Sequence, residues 1–149
     1  MTASNLDIVT KALAAKGLKI THQRIVVYQA LMSSVKHPTA EQIYDKIKKK
    51  NPSISLATVY KILETFVANQ LINRVSTPRG SMRYDPRIDY HNHIYVSNTD
   101  EIMDYEDDEL QEMLVKYLNK RKFNNLNITD FKLQIRGEKI DTKKEINIS

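Results

Sequence analysis

Apolar positions recur with helical spacing in the first part of this chain, and each run begins on a residue suited to cap it. Leu6, Val9 and Leu13 follow Ser4 and stop before Gly17, which predicts a helix over 4–16. Thr21 precedes a second run that continues to about Ser33, with Ile25, Tyr28, Leu31 and Met32 expected inward. After the His37-Pro38 break, Thr39 caps a third helix to about Lys50. Ile43, Tyr44 and Ile47 should face inward there, and Lys46, Lys48, Lys49 and Lys50 outward. Past Asn51-Pro52-Ser53, Ser55 opens a fourth helix from Leu56 to about Asn69. Its apolar set is Val59, Ile62, Leu63, Phe66 and Val67, and its other face carries Ala57, Thr58, Tyr60 and Lys61.

The spacing then shortens. Residues 71–75 and 81–84 read as two strands joined through Thr77-Pro78-Arg79-Gly80, which has turn chemistry. Ile94-Tyr95-Val96 and Glu101-Ile102-Met103 read as short strands around an Asn-Thr-Asp turn. Asp107 to about Lys122 is an amphipathic helix with Leu110, Leu114, Tyr117 and Leu118 on one side. Asn127 to Ile135 reads as a last strand, and the tail from Gly137 as frayed. The predicted class is α+β, an N-terminal winged-helix DNA-binding domain followed by a small α/β dimerisation domain. The expected boundaries are 1–84, a hinge at 85–90, and 91–149. Three strands and one helix make a small core with open strand edges, so a homodimer joining two such sheets is expected.

Charge changes the picture. Residues 1–84 carry 13 Lys/Arg against 4 Asp/Glu, a net of +9, whereas 85–149 carry 10 against 14, a net of −4. A basic half joined to an acidic half suggests that the first meets a polyanion. Helices followed by a hairpin with arginines at its tip and flank is the order of a winged helix, whose last helix enters the major groove. The residues expected on DNA are Lys19, Thr21, Arg24, Ser55, Ala57, Thr58, Tyr60, Lys61, Arg74 and Arg79. Small Ala57 and Thr58 allow close approach, and Tyr60 can reach a thymine methyl or a phosphate. Lys19, Arg24, Lys61, Arg74 and Arg79 would contact phosphates, which orient the protein without reading sequence. The partner expected is a palindromic double-stranded operator, read by two copies of the chain.

The chain contains no cysteine, which removes disulfides, thiolate zinc sites and thiol redox sensing. No apolar run is long enough to span a membrane, and the N-terminus lacks a secretory pattern, so a cytoplasmic location is expected.

Candidate metal chemistry lies where the charge reverses. His91 and His93 on an extended strand would share a face, about 6.5–7 Å apart along it. Imidazole with carboxylate suits iron, manganese or zinc. Such a pair is a weak signal alone, and Asp85, Asp104 and His37 add to it only if the fold brings them together.

Larger motifs extend this reading. Thr21-His22-Gln23-Arg24, His37-Pro38-Thr39-Ala40-Glu41-Gln42-Ile43-Tyr44, Ser55-Leu56-Ala57-Thr58-Val59-Tyr60-Lys61, Arg83-Tyr84-Asp85 and His91-Asn92-His93 together resemble the Fur family of metal-dependent bacterial repressors, over roughly residues 15–137. The resemblance implies a regulatory metal held by His37, Asp85, His91, His93 and Asp104, one divalent ion per protomer. Fe(II) or Mn(II) is implied, and Zn(II) would also fit in vitro. Aspartate at both carboxylate positions resembles the peroxide-sensing PerR branch. There, bound Fe(II) reacts with hydrogen peroxide and a ligand histidine becomes 2-oxo-histidine, for which His37 and His91 are the matching candidates. Peroxide would be the only small-molecule substrate.

Two departures stand out. The positions of the family's structural zinc cysteines fall on Val96, Thr99 and about Lys139 and Thr142, so no structural zinc is expected. Tyr90 and Asn92 replace the histidine and aspartate of a further family site, which is expected to be missing. The resulting expectation is a repressor that senses peroxide and is not an enzyme. The alternatives are a regulator of iron or other metal uptake without a peroxide response, and a non-haem iron metalloenzyme.

Overall fold

The computed structural model describes residues 4–34, 36–87 and 92–149. The chain divides into two compact units, Met1–Asp89 and Tyr90–Ser149, each described separately below.

The first unit holds helices α1 (Asn5–Ala15), α2 (His22–Met32), α3 (Ala40–Ile47) and α4 (Leu56–Ala68), then strands β1 (Asn73–Ser76) and β2 (Met82–Asp85). All four helices start where a capping oxygen predicts. The side chains of Ser4, Thr21, Thr39 and Ser55 accept hydrogen bonds from the backbone N–H groups of Asp7, Arg24, Gln42 and Thr58 respectively. At α3 the Gln42 side chain reciprocates, accepting from the Thr39 N–H at 3.0 Å, which completes a capping box.

The apolar stripes meet in one core containing Val9, Leu13, Val27, Leu31, Ile43, Val59, Leu63, Phe66 and Ile72. Tyr28 and Phe66 pack edge to face with ring centroids 5.8 Å apart. Three details differ from the pattern reading. Leu6 is half exposed, whereas Val9 and Leu13 of α1 are fully buried and Ala12 packs beside them. Ile25, Met32 and Tyr44 line the margin of the core rather than its centre, while Val27 is fully buried. Leu71 and Ile72 are buried but precede the strand. The end of α4 explains this last difference. Gln70 takes a left-handed φ of 58°, and Leu71 N–H donates to the Phe66 carbonyl at 2.9 Å. These are features of a helix-terminating turn that tucks the next apolar residue inward.

β1 and β2 form an antiparallel hairpin in which Arg74 faces Tyr84 in register. Its turn is closed by Gly80 N–H donating to the Thr77 carbonyl at 2.9 Å, with Gly80 at a φ of 87° that favours glycine.

The second unit holds β3 (Asn92–Val96), β4 (Glu101–Tyr105), α5 (Asp108–Lys120) and β5 (Gln134–Gly137). The sheet order is β4-β3-β5, antiparallel between β3 and β4 and parallel between β3 and β5. Tyr95, Val96 and Ile102 are buried, but no residue of α5 is, and Met113, Tyr117, Leu126 and Ile128 remain exposed. A large apolar surface thus stays uncovered in the single chain.

The last strand begins later than the alternation suggested, at Gln134, and the chain just beyond it is tethered as far as Lys139, while Ile140 after it is fully exposed. Two asparagine side chains bracket β5. Asn92 accepts from Leu133 N–H at 3.0 Å, and Asn98 both accepts from Lys139 N–H and donates to the Lys139 carbonyl, each at 3.0 Å. The Lys139 ammonium, almost fully buried, pairs with Glu101 at 3.1 Å. This clasp includes Lys139, and its Asn98 lies between Val96 and Thr99, none of which is a cysteine. Replacing Asn98 with alanine should cost about 1–3 kcal/mol. Amide hydrogen exchange should report it as lost protection at Lys139 and its neighbours, with the amides of α4 unchanged.

Candidate metal and nucleic-acid sites

His37 lies between the end of α2 and the cap of α3, on backbone that β2 holds in place. Tyr84 N–H donates to the Pro38 carbonyl at 2.9 Å, Thr39 and Arg83 form an isolated antiparallel bridge, and an Arg83 guanidinium nitrogen donates to the His37 carbonyl at 2.8 Å. Asp85 ends β2. One of its carboxylate oxygens accepts from Arg87 N–H at 2.9 Å, and the other stands 3.3 Å from His37 Nε2. Both side chains are buried.

In the second unit His93 and Asp104 face each other directly across β3 and β4. Nε2 of His93 lies 3.4 Å from the Asp104 carboxylate. The His93 N–H donates to the Leu133 carbonyl at 3.2 Å, so the segment entering β5 helps fix the histidine's backbone. Within each unit, then, one predicted histidine meets one predicted aspartate. His91 lies outside the described residues, as do Tyr90 and the part of the expected hinge from Ile88 on.

Both separations are slightly longer than a usual N–H···O hydrogen bond. They fall in the range of neighbouring donors around one ion: bonds of about 2.1 Å put donors about 3.0 Å apart at right angles and about 3.6 Å apart at 120°. The donor chemistry, imidazole with carboxylate, fits Fe, Mn or Zn. His22 makes a different contact, with its Nε2 3.2 Å from the Asn51 side-chain oxygen at the surface.

The residues expected on DNA all belong to the first unit. Thr21 and Ser55 are occupied as helix caps, and the Ser55 hydroxyl also lies 2.9 Å from that of Thr58. Ala57, Tyr60 and Lys61 are exposed along α4, opposite Val59, Ile62, Leu63 and Phe66. Lys19 and Arg79 are exposed, the latter in the hairpin turn. An Arg24 guanidinium nitrogen donates to the Lys19 carbonyl at 2.8 Å. Arg74 is ion-paired with Glu64 of α4 at 2.9 Å.

Sequence reasoning missed the residues that brace these groups. Glu64 also accepts from the Tyr84 hydroxyl at 3.0 Å, tying α4 to the hairpin, and burial first and this bond second hold the Tyr84 phenol neutral well beyond its ordinary range. Glu41 accepts from the Tyr60 hydroxyl. Arg83 was visible only as part of a motif. The His93–Asp104 pairing did have a signal: a hairpin that sets Val96 opposite Glu101 necessarily sets His93 opposite Asp104.

The model of the ferric uptake regulator family matches residues 15–136. The chain is 33% identical to the peroxide operon regulator of Bacillus subtilis over 105 residues, covering 70% of this chain and 72% of that one. It is 31% identical to the peroxide-responsive repressor PerR of Staphylococcus epidermidis over 138 residues, covering 91% and 89%. A solved structure of a zinc-bound manganese uptake regulator superposes with a TM-score of 0.74 at 22% identity, over 89% of this chain and 98% of that one, a likeness of fold.

Proposed function

Since this chain belongs to the ferric uptake regulator family, we propose that it is a metal-dependent, DNA-binding transcriptional repressor that responds to peroxide. The observation that carries this reading is the paired His–Asp geometry, His37 with Asp85 in one unit and His93 with Asp104 in the other, with aspartate in both places. Two relatives named for peroxide response support the choice of signal.

In this reading His37, Asp85, His91, His93 and Asp104 share one divalent ion, Fe(II) or Mn(II). Residues 1–84 bind DNA, 85–90 form the hinge, and 91–149 form the dimer, whose interface covers the exposed apolar residues around α5. Because ligands come from both units, holding the ion restrains the angle between them, and in a homodimer that angle sets the spacing of two α4 helices on a palindromic operator. The DNA-bound arrangement gains only as much as the ligands' preference for it. Fe(II) held there would supply the reduction of peroxide that oxidises His37 or His91. An oxidised ligand holds the ion less well, the restraint relaxes, and the operator is released. No helix among the described residues is long and apolar enough to cross a membrane, and a regulator of this kind works in the cytoplasm. Its role is that of a regulator rather than an enzyme, since peroxide modifies the protein itself.

The test is peptide mapping by mass spectrometry after Fe(II) loading and peroxide. One added oxygen atom on His37 or His91, together with loss of DNA binding, is expected. Unmodified histidines with unchanged metal-dependent DNA binding would instead identify a regulator of metal uptake. Asp104→Glu should retain metal-dependent binding but slow the oxidation by roughly tenfold or more, read from the same peptides over time.

A further inference from the structure

The outward stripe of α4 includes Ala57, Tyr60, Lys61 and Glu64. Its two acceptor-linked members are held differently. Glu64 is neutralised by Arg74 and also bonded to Tyr84. Tyr60 instead donates its hydroxyl to Glu41, in the first turn of α3. Among the described residues no lysine or arginine pairs with Glu41, and its other close charged neighbour is the like-charged Asp45. The two ends of the bond support each other. The Tyr60 hydroxyl is the main cause that holds the Glu41 carboxyl below its usual range, and Glu41 is the main cause that raises the Tyr60 phenol. The pair therefore stays a neutral phenol on an anionic carboxylate at neutral pH, a charge-assisted bond.

An anion on this face is unexpected if phosphate affinity alone mattered. Residues 1–84 have only 4 acidic side chains against 13 cationic ones, and each phosphate contact adds affinity without selecting sequence. A carboxylate beside a groove discriminates. It is repelled by phosphates and by base acceptors such as guanine O6 and N7, and tolerated beside amino donors of cytosine or adenine. An aromatic ring locked in one orientation likewise presents one edge to a thymine methyl.

We propose that Glu41 is a specificity-determining residue of the DNA-reading surface. It fixes the Tyr60 ring through the hydroxyl, and its charge penalises registers that set a phosphate or base acceptor beside it. The proposal rests on the DNA-binding reading above and adds a selector that is not itself a phosphate contact.

The test uses full-length, Mn(II)-loaded protein and a pool of random-sequence duplexes. Wild-type protein selects a duplex, and its affinity for that duplex and for a base-shuffled version is measured across salt concentrations for wild type, Glu41→Gln, Tyr60→Phe and the double variant. Glu41→Gln should bind the shuffled duplex roughly fivefold more tightly, and the ratio of selected to shuffled affinity should fall by about tenfold. Tyr60→Phe should lower the same ratio, and the double variant should lose little more than either single change, as expected for residues acting through one bond. Equal gains on both duplexes for Glu41→Gln would overturn the proposal by reducing Glu41 to a change in net charge. Additive losses in the double variant would overturn it as well. Failure of the wild-type protein to bind DNA at all would remove the DNA-binding reading and the proposal with it, whereas binding without any sequence enrichment would overturn the proposal alone.

Discussion

Replacing His93 with alanine should lower Mn(II) affinity at least 10²-fold, on the order of the larger losses caused by disturbing even the residues that support a metal ligand. His93 sits in the middle strand of the second sheet, directly opposite Asp104, with its side chain nearly buried. Its loss leaves the Asp104 carboxylate without the imidazole 3.4 Å away. At a Mn(II) concentration that saturates the wild-type protein, DNA affinity of the variant should equal that of metal-free protein. His22→Ala is the matched control. His22 is exposed and hydrogen-bonded to Asn51, so its removal should leave Mn(II) affinity unchanged. Isothermal titration with Mn(II), beside fluorescence anisotropy on a labelled duplex, reads both effects.

Phe66→Ala should have the largest effect on stability. Phe66 is fully buried, it packs edge to face on Tyr28, and it lies on the inward side of the helix whose outward side carries Tyr60 and Lys61. Truncating a buried phenylalanine costs about 3–5 kcal/mol through lost transfer free energy and the cavity left behind. Domains are stable by only about 5–15 kcal/mol. In a unit of this size the melting temperature should fall by on the order of 15 °C or more, followed by circular dichroism of the helices. DNA binding should weaken with or without Mn(II), because the face proposed to read DNA loses its support. That separates Phe66→Ala from His93→Ala, which should remove only the metal-dependent part.

The contrast between these residues shows what could be read from sequence. Phe66, Leu63 and Val59 were legible because helical period and the Ser55 cap agree, and nothing remote is needed to bury them. Leu71 and Ile72 were misplaced into a strand because a short apolar run reads alike in either state, and the left-handed Gln70 that ends α4 is not a glycine. The late start of β5 depended on Asn92 and Asn98 side chains reaching across 41 positions, which no local period reports. The same holds for the site. His37 and Asp85 are far apart in sequence and meet because β2 pairs with the residues before α3. Spacing offered only the His91-x-His93 pair, and family motifs supplied the other proposed ligands. Glu41 and Glu64 were missed because an acidic residue on a basic unit reads as ordinary surface until its tyrosine partner is seen.

The central claim, that metal binding and DNA binding are linked, is tested most directly by one titration. Full-length protein is titrated onto a labelled duplex that it has selected, at fixed salt, once with Mn(II) and once with a chelator. Binding about 10- to 100-fold tighter with Mn(II) is expected, the range of an ordinary coupling between two sites. Equal affinity with Mn(II) and with chelator would contradict the account.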